Sequence, residues 1–174
     1  YKKNKTIYDW SKLVKKNLKK KQYIKLKVKS IVGINSIELL KFIPKNLKKN
    51  KLNEIIILQI GINDSWHYKS MNGRPCVKLS QFKKNLNNIK LNCQELGFKK
   101  IIFLNYHKLE NNRMEINKKT LNQNLNYYNK EIKIFCKKNN LYLIDIHKYT
   151  KKYKNICLPM PDGIHLNYKG TKIY

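Results

Sequence analysis

Glu54-Ile55-Ile56-Ile57-Leu58-Gln59-Ile60-Gly61-Ile62-Asn63-Asp64 is the stretch that decides the fold. From Glu54 to Ile60 it carries almost no polar side chain and reads as a central strand. A strand that is apolar on both faces must be covered on both. In a chain that alternates strands with helices, that means a parallel sheet with helices on each side.

The sequence on either side repeats this alternation. Upstream, Trp10, Leu13, Val14 and Leu18 recur at helical spacing between Tyr8 and Lys20,. Tyr23 to Val32 then alternates apolar and lysine residues up to Gly33, as expected of a strand near a sheet edge,. Ser36 is the expected cap of a helix with Ile37, Leu40, Phe42, Ile43 and Leu47 on its buried side, interrupted around Pro44,. Downstream, Leu79 to Leu96 has a helical pattern that stops at Gly97, and Ile101 to Leu104 is the next buried strand,. Leu121 to Phe135 reads as a helix and Leu141 to Ile146 as the last strand. A short helical turn, a loop through Pro159 and Pro161 and a final helix from about Asn167 complete the chain. The predicted architecture is a three-layer α/β/α domain with an open, mostly parallel, doubly wound sheet, one domain spanning residues 1–174.

At 174 residues the chain is long enough to bury about 70% of its unfolded surface in one core. No apolar run approaches the roughly 18 residues of a membrane helix. The net charge of +29 from 39 Lys and Arg against 10 Asp and Glu invites a polyanion reading,. Two observations argue against nucleic acid. All the basic side chains but Arg74 and Arg113 are lysines, which lack the bidentate fork used on bases and phosphates,. The lysines are also scattered over every helix face without forming a stripe. Alanine is absent, and Lys, Asn, Ile and Tyr make up about half of the chain, the mark of A/T-rich codons,.

Cys76, Cys93, Cys136 and Cys157 show no paired spacing and read as reduced small hydrophobes, which favours a reducing, cytoplasmic compartment,. The four histidines are equally dispersed, so neither a metal nor an organic cofactor is expected,.

In open α/β sheets, ligands bind beyond the carboxyl ends of the strands, here the loops after Val32, Ile60, Leu104 and Ile146. Two stretches at that edge carry chemistry. In Gly61-Ile62-Asn63-Asp64 the glycine permits a sharp turn and Asn63 can aim amide N–H groups into the crevice,. In Asp162-Gly163-Ile164-His165 a carboxylate three residues before an imidazole can take the Nδ1–H and leave Nε2 as a general base,. Each alone is ordinary turn chemistry.

Together, in this order, they resemble the SGNH superfamily of GDSL-type esterases and lipases, over most of the chain from Trp10 onward. The resemblance implies a flavodoxin-like fold and hydrolysis of carboxylic esters, acyl or acetyl. It also implies Asp162 and His165 as two members of a Ser-His-Asp triad, with Asn63 and the backbone N–H of Gly33 as the oxyanion hole. Gly33 stands where that family's second-block glycine would sit. The small residue that often follows it there is replaced by Ile34-Asn35-Ser36.

One departure matters: the Gly-Asp-Ser block with the nucleophile is nowhere in these residues. The sequence therefore reads as a fragment, with the serine, the first central strand and any secretory signal before Tyr1 and more of the last helix beyond Tyr174. Ser36 and Ser65 lack a nucleophile elbow, and Cys157 reads as a structural thiol. His67 and His107 sit at the right sheet edge, where they are either substrate contacts or surface polar residues. His147 is expected to start a short helix. The segment from Ser65 to Leu79, with Trp66, His67, Tyr68, Arg74 and Pro75, is the expected specificity loop,. The partners implied are small-molecule, glycan or lipid esters, and an acyltransferase with the same residues stays open. The rival is a basic module that binds nucleic acid or anionic polysaccharide without cleaving an ester; a third possibility is a family member that has lost its nucleophile.

Overall fold

Among the described residues three strands, β1 (Ile55–Gln59), β2 (Lys100–Leu104) and β5 (Tyr142–Ile144), form a parallel sheet in the order β1-β2-β5. The computed structural model describes residues 10–18, 27–29, 31–49, 54–66, 75–110, 115–116, 119–159 and 162–174. Its helices are α1 (Trp10–Leu18), α2 (Ser36–Asn46), α3 (Ile62–Ser65), α4 (Leu79–Glu95), α5 (Leu121–Lys138), α6 (Ile146–Thr150) and α7 (Tyr168–Ile173). A two-residue hairpin of β3 (Glu115–Ile116) and β4 (Lys119–Thr120), absent from the sequence expectations, leads into α5.

Strand alternation sends Ile56 and Leu58 of β1, Ile101 and Phe103 of β2 and Leu143 of β5 to one face, where α4 packs against both α2 and α5,. Phe82 and Tyr128 meet there with ring centroids 5.0 Å apart, and the Tyr128 hydroxyl donates to the Val77 carbonyl. Cys93 and Cys136 lie in this core as the small hydrophobes expected. On the opposite face, α1 and α7 gather at the Gln59 end, where Gln59 donates to the Tyr174 hydroxyl and Trp10 stacks near Tyr174. Farther along that face Ile55 is 51% exposed and Ile57 45%.

Three local expectations change. Residues 27–29 and 31–32, the described part of the predicted Tyr23–Val32 strand, are not in a strand; Tyr23 to Leu26 and Ser30 lie outside the described residues. Alternation alone makes no strand without a ladder partner, and the lysines here turn elsewhere, Lys27 to Glu54 and Lys29 to the Asn46 carbonyl. The cap of α2 is Asn35 rather than Ser36. Its side chain accepts from Ile37 and Glu38 while Glu38 reaches back to the Asn35 N–H, a complete capping box,. Nor does Pro44 interrupt α2, which runs on to Asn46. Proline has no N–H for the Leu40 carbonyl, and the Asn92 side chain approaches that oxygen at 3.5 Å instead,.

Candidate active site

β1 is followed two residues after its end by Gly61, whose φ of 122° is a conformation side-chain-bearing residues rarely adopt,. That turn lets the chain enter α3 directly beyond the strand, so what reads as a plain loop is a four-residue helix carrying Asn63 and Asp64. The two side chains reach the same segment. Asn63 Nδ2 donates to the Ile34 carbonyl at 2.9 Å, and Asp64 Oδ1 accepts the Ser36 N–H at 2.9 Å. Gly33, with φ 75°, begins that segment. The structure therefore brings the Gly33 turn and Asn63 together, as no local spacing could across the 29 positions between Ile34 and Asn63. Asn63 has a second amide N–H, which leaves it able to donate to a ligand oxygen as well.

Asp64 was legible only as a turn former, and its position is a surprise. It is wholly buried, and Oδ2 has no hydrogen-bond partner among the described residues. Burial pushes its carboxyl above the usual range despite the donors of Ser36,. Beyond α3, Cys76 N–H donates to the Trp66 carbonyl and Val77 N–H to the Asp64 carbonyl, so the expected specificity loop is pinned at both ends. His67, Tyr68 and Arg74 of that loop lie outside the described residues, as does Pro161 of the second motif.

The second motif occupies a tight loop between the Cys157–Leu166 bridge residues. Leu158 N–H donates to the His165 carbonyl and Gly163 N–H to the Leu158 carbonyl. Within it, His165 Nδ1–H donates to Asp162 Oδ2 at 3.0 Å. Asp162 Oδ1 also accepts the backbone N–H groups of Ile164 and His165. Partial burial alone would raise the Asp162 pKa, but these donors outweigh it and hold the carboxyl below its ordinary range,. The His165 side chain is 54% exposed. The result is a half-exposed imidazole whose Nδ1 is engaged by a carboxylate, which fixes the tautomer and leaves Nε2 as the basic nitrogen that a general base requires,. A cleft of about 480 Å³ lies beside this loop, lined by Leu158, Pro159, Gly163, Lys108, Glu110 and Tyr153 among others.

Ile62, next to Asn63, and Ile164, next to His165, belong to one apolar cluster with Leu109, Leu121, Leu125 and Trp66. This cluster sets the two motifs side by side at the carboxyl edge of the sheet. His107, weighed as a rim contact or a surface residue, is neither: it is 4% exposed. Nε2–H donates to the Ile164 carbonyl at 2.9 Å, and Nδ1 accepts from the Tyr174 hydroxyl at 2.7 Å. Burial lowers its pKa to about 4, only partly offset by the Ile164 carbonyl. His147 is the second residue of α6, one after the expected start, and Asp145 caps that helix.

The reserve nucleophiles are buried. Ser36 Oγ accepts from Asn85, and Ser65 Oγ donates to the Ile62 carbonyl; both residues are inaccessible. Cys157 is a buried thiol whose pKa burial pushes up to about 12.

A family model described as GDSL-like lipase/acylhydrolase matches residues 8–174. Among solved structures, the chain is similar to the acetyl xylan esterase AlAXEase at 22% identity, covering 94% of this chain and 85% of that one with a TM-score of 0.73. It is similar to LAE5, an alpha/beta hydrolase enzyme from the metagenome of Lake Arreo, Spain, at 18% identity, with 94% and 76% covered and a TM-score of 0.75. It also resembles the lipase/acylhydrolase from Enterococcus faecalis at 19% identity, with 94% and 79% covered and a TM-score of 0.67. At these identities the likeness is one of fold. No curated protein matches the chain.

Proposed function

The chain belongs to the GDSL-like lipase/acylhydrolase family, and from that premise we propose that it cleaves carboxylic esters, acyl or acetyl, by a Ser-His-Asp mechanism. His165 is the general base and Asp162 its orienting carboxylate. Gly33 N–H and the Asn63 amide are the oxyanion donors. The nucleophilic serine comes from a strand preceding α1 and added along the edge of β1 opposite β2.

The observation that carries this is the Asp162–His165 pair: a carboxylate on Nδ1 of a half-exposed ring, which leaves Nε2 free of that bond to take a proton. The serine Oγ attacks the ester carbonyl while Nε2 takes its proton. The negative charge that develops on the carbonyl oxygen is met by the Gly33 and Asn63 donors, and Asp162 stabilises the imidazolium. The tetrahedral adduct collapses as the imidazolium protonates the leaving alkoxide. A water, deprotonated by the same Nε2, then releases the acid from the acyl-enzyme. Two facts support a serine from outside the described residues. Ser36 and Ser65 are sealed in the core, and among the described residues β1 pairs on one side only, with Ile55 and Ile57 exposed. Small-molecule, glycan and lipid esters are the substrate classes proposed, with acetylated sugars a natural first group to try.

The test is hydrolysis of p-nitrophenyl esters of increasing chain length by the full-length protein and its His165→Ala variant. A fall of roughly 10³-fold or more in kcat supports the triad. An unchanged rate, or no turnover of any ester by the unaltered protein, overturns it.

A further inference from the structure

We infer that His107 is a positioning residue: its Nε2–H fixes the peptide unit that leads into His165 and thereby aims the general base. The inference rests on the hydrolase reading above for its kinetic consequence, though not for its structural one.

The geometry runs through one peptide bond. The Ile164 carbonyl and the His165 N–H belong to the same planar unit. The carbonyl accepts from His107 Nε2 at 2.9 Å and the N–H donates to Asp162 Oδ1 at 2.8 Å. The plane is thus held from both sides, and the direction in which His165 leaves the backbone is set with it. Ile164 N–H also donates to Asp162 Oδ1, so both hydrogen-bonding groups of Ile164 are engaged.

A carbonyl can only accept, so His107 must carry its proton on Nε2. Nδ1 of the neutral ring is then an acceptor, filled by the Tyr174 O–H, which itself accepts from Gln59 Nε2 at 3.1 Å,. A relay of defined polarity therefore runs from the last residue of β1, through α7's C-cap and the loop after β2, to the Asp162–His165 loop. Every member is held by an element of the fold. The same segment after β2 also holds the loop through Glu110 N–H, which donates to the Gly163 carbonyl at 2.8 Å, but of the two only the His107 bond is made to the peptide unit that leads into His165. His107 never faces the crevice; it acts through His165.

Three variants separate this role from packing. In His107→Gln the side-chain amide can place its nitrogen where Nε2 was, keeping the bond to Ile164. In His107→Asn the amide reaches only the Nδ1 position, and in His107→Phe both bonds are lost. Amide hydrogen exchange is read at Ile164 and His165, with Phe103 of β2 as the internal reference. The expected result is exchange about tenfold faster or more at Ile164 and His165 in the Phe and Asn variants, near-native exchange in the Gln variant, and an unchanged Phe103. On an ester substrate, kcat should fall roughly 10- to 100-fold in the Phe and Asn variants, with KM moved less than about threefold, and recover in the Gln variant. Unchanged exchange at Ile164 and His165 in the Phe variant, or rescue by Asn equal to that by Gln, overturns the assignment. If the Phe variant fails to fold, the Gln and Asn comparison decides. If the protein cleaves no ester, the proposed function falls while the exchange pattern still tests His107.

Discussion

Asp162 grips His165 at two points at once: Oδ1 accepts its backbone N–H at 2.8 Å and Oδ2 accepts its Nδ1–H at 3.0 Å. One carboxylate therefore sets both where the residue sits and which way its ring faces.

This double grip makes Asp162→Asn an informative change. Asparagine keeps an oxygen for the two backbone N–H groups but turns an NH₂ toward Nδ1, forcing the ring proton onto Nε2, where it blocks base catalysis. The expected outcome is a kcat lower by about 10³ to 10⁴ with little change in thermal midpoint. Steady-state kinetics on an ester and calorimetry on the same preparations check it.

Asn63 offers a contrast in kind, since it takes no proton and acts only on developing charge. Asn63→Ala should lower kcat by roughly 10² to 10³ and KM by much less, as for loss of one oxyanion donor. A raised KM with an unchanged kcat would place Asn63 in ground-state binding instead.

Gly61 is required by its backbone. A β-carbon there meets Ile132 at 3.5 Å and Phe82 at 3.6 Å, ordinary contacts, but φ is 122°. Gly61→Ala is therefore expected to cost about 1 to 3 kcal/mol through backbone strain alone, visible as a lower urea midpoint with unchanged slope.

His107 makes stability depend on acid. Its ordinary value is 6.5, and burial holds it at about 4 in the fold. Between those limits the unfolded chain binds the proton and the folded one does not. Its contribution is complete above pH 6.5 and is lost as pH falls toward 4, on the order of 3 kcal/mol in all,. Urea titrations at several pH values should show a shallower acid loss in His107→Gln than in the unaltered protein.

Asp64 works in the opposite sense. Its folded pKa is raised above 3.8 by burial, so the native state holds a proton that the unfolded chain has released. Stability is fullest below 3.8 and declines as pH rises through the folded value,. Asp64→Asn removes the charge and can keep an acceptor for the Ser36 N–H. Its stability relative to the unaltered protein should therefore grow from pH 4 to pH 7. A difference that is flat with pH would show that the carboxyl is not perturbed.

The chain's local patterns carried a great deal. The apolar run of 55–60, broken only by Gln59, the helical spacing in 79–96 and 121–135 and the Gly97 stop set the alternation of elements, because side-chain periodicity and glycine conformations act within a few residues,. The Asp162–His165 pair was legible for the same reason, being a contact across three positions. Other features were settled only in three dimensions. Asn63 meets Ile34 across 29 positions, Asp64 meets Ser36 across 28, and His107 meets Ile164 across 57 and Tyr174 across 67. Whether a histidine is a wet surface group or a buried neutral anchor, and whether an aspartate ends a turn or sits in the core with one oxygen unpartnered among the described residues, depends on which distant segment covers it. No local pattern records that, because burial and hydrogen-bond partners are properties of the packed chain.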